Sequence, residues 1–600
     1  MSSASQASGA GVPFTPGSAA SGRRAAWRRL VAYIGRNRGY YSLWLASVLL
    51  YVAGFLAIPW LVGWTYEAYE TQLGGDVVAQ RARLLALVGL AAAGVRFWSR
   101  ALVFNAAREI EYEIRNDVFE HLERLPQSFF NSWRTGDIMS RCVNDLNSVR
   151  LLLGVGLLNI VQTPILYVGA LSMMFAINAK LALLVLLPYP AFILIARLLG
   201  RSIHHWSLLV QEGLAELSNR LQETISGIAV VKAYAMEGVT TRRFEDTNRE
   251  LYRRQLRLVR TNAAMPAVVG LLPMGAMLVI LWVGGLEIIA GRMSGGDFFK
   301  FSILVYQLTF PTFIMGWVVA LVQRGAASMQ RLDELLSVRP SIADAPDAAE
   351  PEQRGGRIEF RGLTLHYPDS ELAALDDVSL SVPAGSSLGV VGRVGSGKST
   401  LASVVPRLIE VPDGTVFVDG TDVNRFPLHA LRSRIAMVPQ DSFLFSLTLA
   451  DNVAFGLPHT DPTAVHRAAE RAQLAKDVDE LPHGYETVVG ERGVMLSGGQ
   501  RQRTALARAL AMEPCILILD DTLSAVDAET EAAIQRGLDR YFEGRTVVVV
   551  SSRVSAVRRA DQIVVLDEGR IVEQGRHEDL LARAGPYTRL AREQAEVDPA

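Results

Sequence analysis

GRVGSGKST, Gly392 to Thr400, is the stretch on which the reading of this chain turns. It fits the pattern G-x-x-x-x-G-K-S and follows the apolar run SLGVV, residues 387–391. Gly395 and Gly397 let a backbone wrap phosphate oxygens with its own N–H groups, and the helix that follows offers its positive end. Gly392, Ser396 and Thr400 belong to the same loop. Lys398 is placed to reach β- and γ-phosphates and Ser399 to ligate Mg²⁺. A chance match would lack the strand before it and the helix after it. Downstream, CILILD (515–520) is an apolar strand that ends in acid. A buried strand accounts for its apolar residues but not for two adjacent carboxylates, Asp520 and Asp521. Asp520 is the expected Mg²⁺ partner, directly or through another ligand. Between these elements, LSGGQ (496–500) places Ser497, Gly498 and Gly499 at a helix start, a second anion site. Taken alone, LSGGQ is also compatible with an ordinary turn before a helix.

The rest of the chain is too long and too apolar for a soluble phosphate-binding domain alone: 600 residues, 50% hydrophobic, with a mean hydropathy of +0.21. Gly39 to Tyr66 carries no charge and exceeds the roughly 20 apolar residues that cross a bilayer. Leu84 to Phe104 is a second span, although Arg96 and Arg100 fall inside it. Leu151 to Ala196, interrupted only by Lys180, makes two spans with a tight turn at Asn178–Lys180. Asn262 to Leu286 and Phe301 to Gln323 complete six. Bends are expected at Pro59 and Pro311. Six basic residues between Arg23 and Arg38 precede the first span, whereas EAYETQLGGDVVAQ after it has none. That asymmetry puts the N-terminus and the long connections 105–150 and 197–261 on the cytoplasmic side. Helical spacing in those connections extends the spans beyond the bilayer.

The tail SSASQASGAGVPFTPGSAASG (2–22) lacks apolar periodicity and reads as disordered, without the features of a signal peptide. Residues 338–356 are rich in Pro, Ala, Gly and acid, and from Arg357 short β-branched runs alternate with helical segments. The expected organisation is a tail over 1–22, a six-span all-α domain over 23–330, a linker over 331–356 and an α/β nucleotide-binding domain over 357–600. A net charge of −1 argues against nucleic acid as a partner. Cys142 and Cys515 have neither disulfide nor metal-ligand spacing, which suits a reducing compartment.

In this order the motifs resemble the exporter-type (type IV) ATP-binding-cassette (ABC) transporters, from about residue 25 to 585. FFNSWRTGDIMSRCVNDLNSV (129–149) and ISGIAVVKAYAMEG (225–238) resemble that family's coupling regions. The fold implied is an all-α six-helix transmembrane domain fused to a C-terminal α/β P-loop ABC nucleotide-binding domain. Carried over residue by residue, the resemblance makes Tyr367 the aromatic that stacks on adenine and Gln440 an active-site and Mg²⁺ residue beside Ser399 and Asp520. Leu496, Ser497, Gly498, Gly499 and Gln500 become the signature, Asp527 in SAVD the D-loop, and SSRVSAV (551–557) the switch segment. In that family two halves pair, and ATP lies between the P-loop of one and the signature of the other. Closure then turns the membrane cavity outward.

Two positions depart from the pattern. Asp521 stands where the family has its hydrolytic Glu, and a carboxylate one methylene short is set back by about an ångström, enough to cost ~10²-fold. Ser552 stands where the family has the switch His, and a hydroxyl cannot carry that positive charge. The expectation is a site that binds ATP with Mg²⁺ but hydrolyses it slowly, while the intact signature completes the site of a homologous half-transporter carrying Glu and His. A homodimer would have no competent site, so a heterodimer is expected. Arg96 and Arg100 share a helix face and are suited to an anionic group, but the favoured reading is that they snorkel or pair with acids of the partner. Phe301, Tyr306, Phe310, Phe313, Met315 and Trp317 suit amphiphilic cargo and equally suit packing or lipid contact. The resemblance implies export of drugs, lipids or peptides across a bacterial inner membrane. Its competitors are a transporter for one dedicated cargo and an ATP-gated regulator that does not pump.

Overall fold

The computed structural model describes residues 19–597 except 352–354, 368, 369, 371, 491, 492, 494, 523–533 and 535–540. The expected tail therefore lies outside the described residues up to 18, and residues 19–22 already open a helix, Ala19–Arg36. Asp527 also lies outside the described residues. The chain divides into two compact units, residues 139–337 with the preceding helices up to 118, and residues 338–600 with 119–138.

Among the described residues six helices, lying wholly or mostly in the first unit, are long and apolar enough to cross a membrane: Arg38–Glu70, Gly75–Arg124, Thr135–Ile177, Ala179–Ser226, Glu237–Ile289 and Gly295–Leu336. Each of the six apolar stretches falls on its own helix, and the helices run on into the charged connections as their spacing predicts. The third and fourth part at Asn178, whose side chain accepts the backbone N–H of Leu181 and so starts the next helix. The sixth continues to Leu336, six residues into the expected linker, because Met329, Leu332 and Leu335 keep a buried face at helical spacing.

Small residues let the first and sixth helices approach closely. A Cβ on Gly63 would meet the carbonyl of Gly296 at 2.7 Å. Polar groups then fix the register: Gln307 donates to the Phe55 carbonyl at 3.0 Å, and Lys300 donates to Glu67 at 2.9 Å. Asp145 on the third helix is buried and accepts from Ser328 at 2.8 Å and from Arg331 Nε at 2.8 Å. A buried carboxylate without such donors would cost several kcal/mol, ~3–5 when one partner is removed. Arg96 has its guanidinium over the ring of Tyr51, 5.7 Å from the centroid. Among the described residues no ion pair involves Arg96 or Arg100.

Among its described residues the second unit has ten strands: β1 (Ile358–His366), β2 (Ala373–Val382), β3 (Ser387–Gly392), β4 (Val416–Val418), β5 (Thr421–Asp422), β6 (Ile435–Val438), β7 (Ile516–Asp520), β8 (Thr546–Ser551), β9 (Gln562–Asp567) and β10 (Arg570–Gly575). One sheet has the order β2-β1-β4-β5 and the other β10-β9-β3-β8-β7-β6. β6, β7, β8, β3 and β9 run parallel, while β10 turns back antiparallel on β9. Parallel strands need cover on both faces, and the sequences agree: all five residues of ILILD in β7 are buried. One core gathers Leu388, Val390, Ile518, Val548 and Val550 with Leu363, Leu375 and Phe426. Another packs Leu517 and Leu519 against Leu506 and Leu510 of the helix Gly498–Ala511.

Candidate nucleotide site

The register of the parallel sheet decides where the motifs meet. β7 lies between β6 and β8, and β8 pairs with β3, so the C-terminal ends of all four strands leave the sheet on one side. From those ends come the P-loop after Gly392, Asp520 and Asp521, Ser551 and Ser552, and Gln440, two residues beyond β6. Ligands bind at such an edge in open α/β sheets.

The P-loop has the shape its glycines require. Gly397 has φ +95°, where a side chain is strained, and a Cβ there would lie 2.3 Å from the carbonyl of Ala374. Gly392 is as confined, since a Cβ would meet the Leu566 carbonyl at 2.2 Å. Lys398 opens the helix Lys398–Val404 and folds back over the loop, donating to the carbonyls of Gly392 at 2.8 Å and Arg393 at 2.7 Å. Burial lowers its pKa, opposed by the charges of Asp521 and Asp520. Ser396 is 4% exposed and its Oγ has no hydrogen-bond partner among the described residues. A buried hydroxyl without a partner costs about 1–3 kcal/mol, so this loop is built for a ligand that accepts from it. Phosphate oxygens fit that cradle of amides, ammonium and hydroxyl.

Ser399 donates to Asp520 Oδ1 at 3.1 Å. Burial raises the pKa of Asp520, opposed by the Ser399 hydrogen bond; the charge of Asp521 raises it further and Lys398 lowers it. Ser399 and Asp520 would hold Mg²⁺, which supplies the charge that neutralises phosphate oxygens when bound. Gln440 is exposed at the same edge. Tyr367 follows β1 with its OH in a 3.1 Å hydrogen bond to Thr400 Oγ1, which sets an aromatic ring beside the P-loop helix.

Asp521 takes φ +46°, a left-handed conformation that Asp tolerates better than most residues. Its N–H donates to the Val550 carbonyl at 2.8 Å, and its Oδ1 accepts from Ser551 Oγ at 3.2 Å. Ser552, half-buried, follows directly. Its carbonyl accepts from Gln594 Nε2 at 2.7 Å.

The signature Ser497 caps the helix Gly498–Ala511 with a reciprocal pair. Its Oγ accepts from the Gln500 N–H at 3.2 Å, and its own N–H donates to Gln500 Oε1 at 2.9 Å. Ser497 is exposed, Gly498 and Gly499 are partly so, and Leu496 is buried beneath them. The P-loop, Asp520, Asp521 and the switch segment are joined by the contacts above. Among the described residues no hydrogen bond joins the signature to them, and its own anchors lie elsewhere.

Residues absent from the sequence reading provide those anchors. Asp477 accepts from Arg503 Nε and Nη2, each at 2.8 Å, and from Gln500 Nε2 at 3.4 Å. Arg508 donates to the carbonyls of Asn452 at 2.8 Å and Phe443 at 3.0 Å, and Asn452 exchanges both hydrogen bonds with the backbone of Phe445. The signature helix thereby holds the segment that follows Gln440. Arg503 and Arg508 stand in the readable run QRQRTALARAL, but their partners are distant in sequence.

A P-loop ATP-binding domain in one chain with six membrane-spanning helices defines half of an ATP-driven membrane transporter. The family models agree: residues 43–312 match the ABC transporter transmembrane region and residues 375–524 match the ABC transporter model. The chain belongs to the ABC transporter family, as an exporter-type half-transporter with its membrane domain fused to its ATPase domain. It is 34% identical to the ATP-dependent lipid A-core flippase of Desulfotalea psychrophila over 83% of this chain and 87% of that protein. It is 32% identical to the multidrug resistance-like ATP-binding protein MdlA of Escherichia coli, over 95% of each. A solved structure of a bacterial Atm1-family ABC exporter with ATP bound superposes with a TM-score of 0.77 at 28% identity. That match covers 94% of this chain and 99% of the other.

Proposed function

We propose that this chain is the slow-site half of a heterodimeric exporter that moves hydrophobic or amphiphilic compounds out across a bacterial inner membrane. In this reading its own P-loop, with Tyr367, Lys398, Ser399 and Asp520, holds ATP and Mg²⁺. Asp521 and Ser552 leave that ATP largely uncleaved. Leu496 to Gln500 complete the partner's site, where a Glu and a His do the hydrolysis.

The observation that carries the reading is the pair of side chains at the end of β7 and β8. Asp521 accepts from Ser551, and Ser552 offers only a hydroxyl where a charged imidazole would stabilise the γ-phosphate. The binding elements beside them are complete, so loss is confined to the hydrolytic side. The names of two relatives, a lipid A-core flippase and a multidrug resistance-like protein, support an amphiphilic cargo. The basic flank before the first span supports a cytoplasmic ATPase domain.

ATP turnover of the chain alone, then with a candidate partner carrying Glu and His, tests the proposal. The chain alone should be nearly inactive, the partner should restore turnover, and Ser497→Ala in this chain should abolish it. Brisk turnover by the chain alone would make the homodimer the working unit.

A further inference from the structure

The switch segment is gripped from outside the site by the last helix of the chain, Pro586–Val597. Gln594 on that helix donates from Nε2 to the Ser552 carbonyl at 2.7 Å and accepts at Oε1 from the Val554 N–H at 2.8 Å. The carbonyl before a residue and the N–H after it are the two groups that a neighbouring parallel strand engages. Gln594 therefore takes the place of a strand residue opposite Arg553, whose backbone is extended at φ −96°, ψ 130°. Only an amide side chain offers a donor and an acceptor side by side without charge.

A second pair of bonds holds the middle of the same segment, at Arg553, from inside. Ser551 Oγ accepts from the Arg553 N–H at 3.0 Å and donates to Asp521 at 3.2 Å. The main chain of 552–554 is thus tied both to Asp521 and to the C-terminal helix. Tyr587 of that helix is fully buried with Val554 and Val557. Its neighbour Glu593 stands 3.8 Å from Arg393 of the P-loop, an exposed pair of little weight.

We infer that Gln594 is a positioning residue: its amide holds the backbone at Ser552 in place against the end of a bound triphosphate, and so sets how long this chain retains ATP. The inference rests on the slow-site reading, because retention matters where cleavage is slow. Residue 552 sits at the γ-phosphate position that the family resemblance implies, so the effect is specific to the triphosphate. A residue that only supports the fold would change ATP and ADP binding alike.

The test uses the full-length chain in lipid nanodiscs, loaded with a fluorescent ATP or ADP analogue and Mg²⁺ and chased with excess unlabelled nucleotide. Gln594→Ala should speed ATP release about tenfold, the equivalent of one to two hydrogen bonds, and leave ADP release unchanged. Gln594→Glu keeps the acceptor for Val554 and loses the donor, and should speed ATP release about threefold. It also serves if the alanine variant does not fold. Glu593→Gln should have no effect on either nucleotide. Unchanged ATP release in both Gln594 variants, or equal acceleration of ATP and ADP, would overturn the inference. The same samples report ADP formed by the wild-type chain: rapid conversion there defeats the slow-site reading, whereas retained ATP with unaltered release defeats only the role of Gln594.

Discussion

The two sides of the nucleotide site differ in how they are built. On the P-loop side, two glycines are fixed by backbone geometry and the polar groups by hydrogen bonds to neighbouring residues. Gly392 and Gly397 leave no room for a Cβ, Lys398 lies over two carbonyls, and Ser399 meets Asp520. On the other side, Asp521 accepts a hydrogen bond from Ser551 and Ser552 follows with a hydroxyl, which the slow-site proposal reads as standing in place of a Glu and a His. On the slow-site proposal, holding a triphosphate and cleaving it are separable within one site. Binding needs amides and cations around the phosphates, whereas cleavage needs one base placed to within about an ångström.

Removing the P-loop ammonium should break the binding side outright. Lys398→Ala is expected to weaken ATP affinity of this chain by about 100-fold or more, read by titration with a fluorescent ATP analogue, because charge-assisted bonds to phosphate are the strong ones. Rebuilding the hydrolytic side should give a smaller gain. Asp521→Glu with Ser552→His is expected to raise turnover by the chain alone about 10- to 100-fold, the upper end limited because Glu sits less easily than Asp at φ +46°. A turnover assay at saturating Mg-ATP reads it, and no gain would place the deficit elsewhere.

The signature offers a third comparison, since it should serve only the partner. Asp477→Asn loosens Arg503 and Gln500 and is expected to lower turnover of the assembled pair about fivefold while leaving ATP affinity of this chain unchanged. Equal loss of both would mean that the signature acts on its own P-loop. The smallest effect is on pH. Burial raises Asp520 above its ordinary 3.8, so a proton competes with Mg²⁺ at a higher pH than at an exposed Asp. Mg-ATP affinity should therefore fall severalfold as pH drops through that raised value and recover above it, and Asp520→Asn should flatten the dependence in isothermal titration.

The six spans, the P-loop and the acid-ended strand β7 were legible because each is a local pattern: apolar length, glycine spacing, a strand closing in carboxylate. The continuation of the sixth helix to Leu336 was missed because a Pro- and acid-rich segment so close by masks the buried face of Met329, Leu332 and Leu335. Asp477, Asn452 and Gln594 had no signal at all. Asp477 and Gln594 each act by a single side chain on residues 23 to 42 positions away, and Asn452 on the loop backbone at Phe445, and no periodicity records such pairings. Ser551 was visible only as a neighbour of Ser552; that its hydroxyl reaches Asp521 follows from β8 lying beside β7.

If the slow-site proposal holds, ATP bound to this chain stays ATP. The most direct measurement loads the purified full-length chain with α-labelled ATP and Mg²⁺, removes free nucleotide, and determines the bound ATP and ADP over time. ATP is expected to persist for many times the turnover period of the assembled transporter, and Asp521→Glu with Ser552→His is expected to convert it to ADP. Conversion to ADP in the wild-type chain within a single turnover period would contradict the proposal.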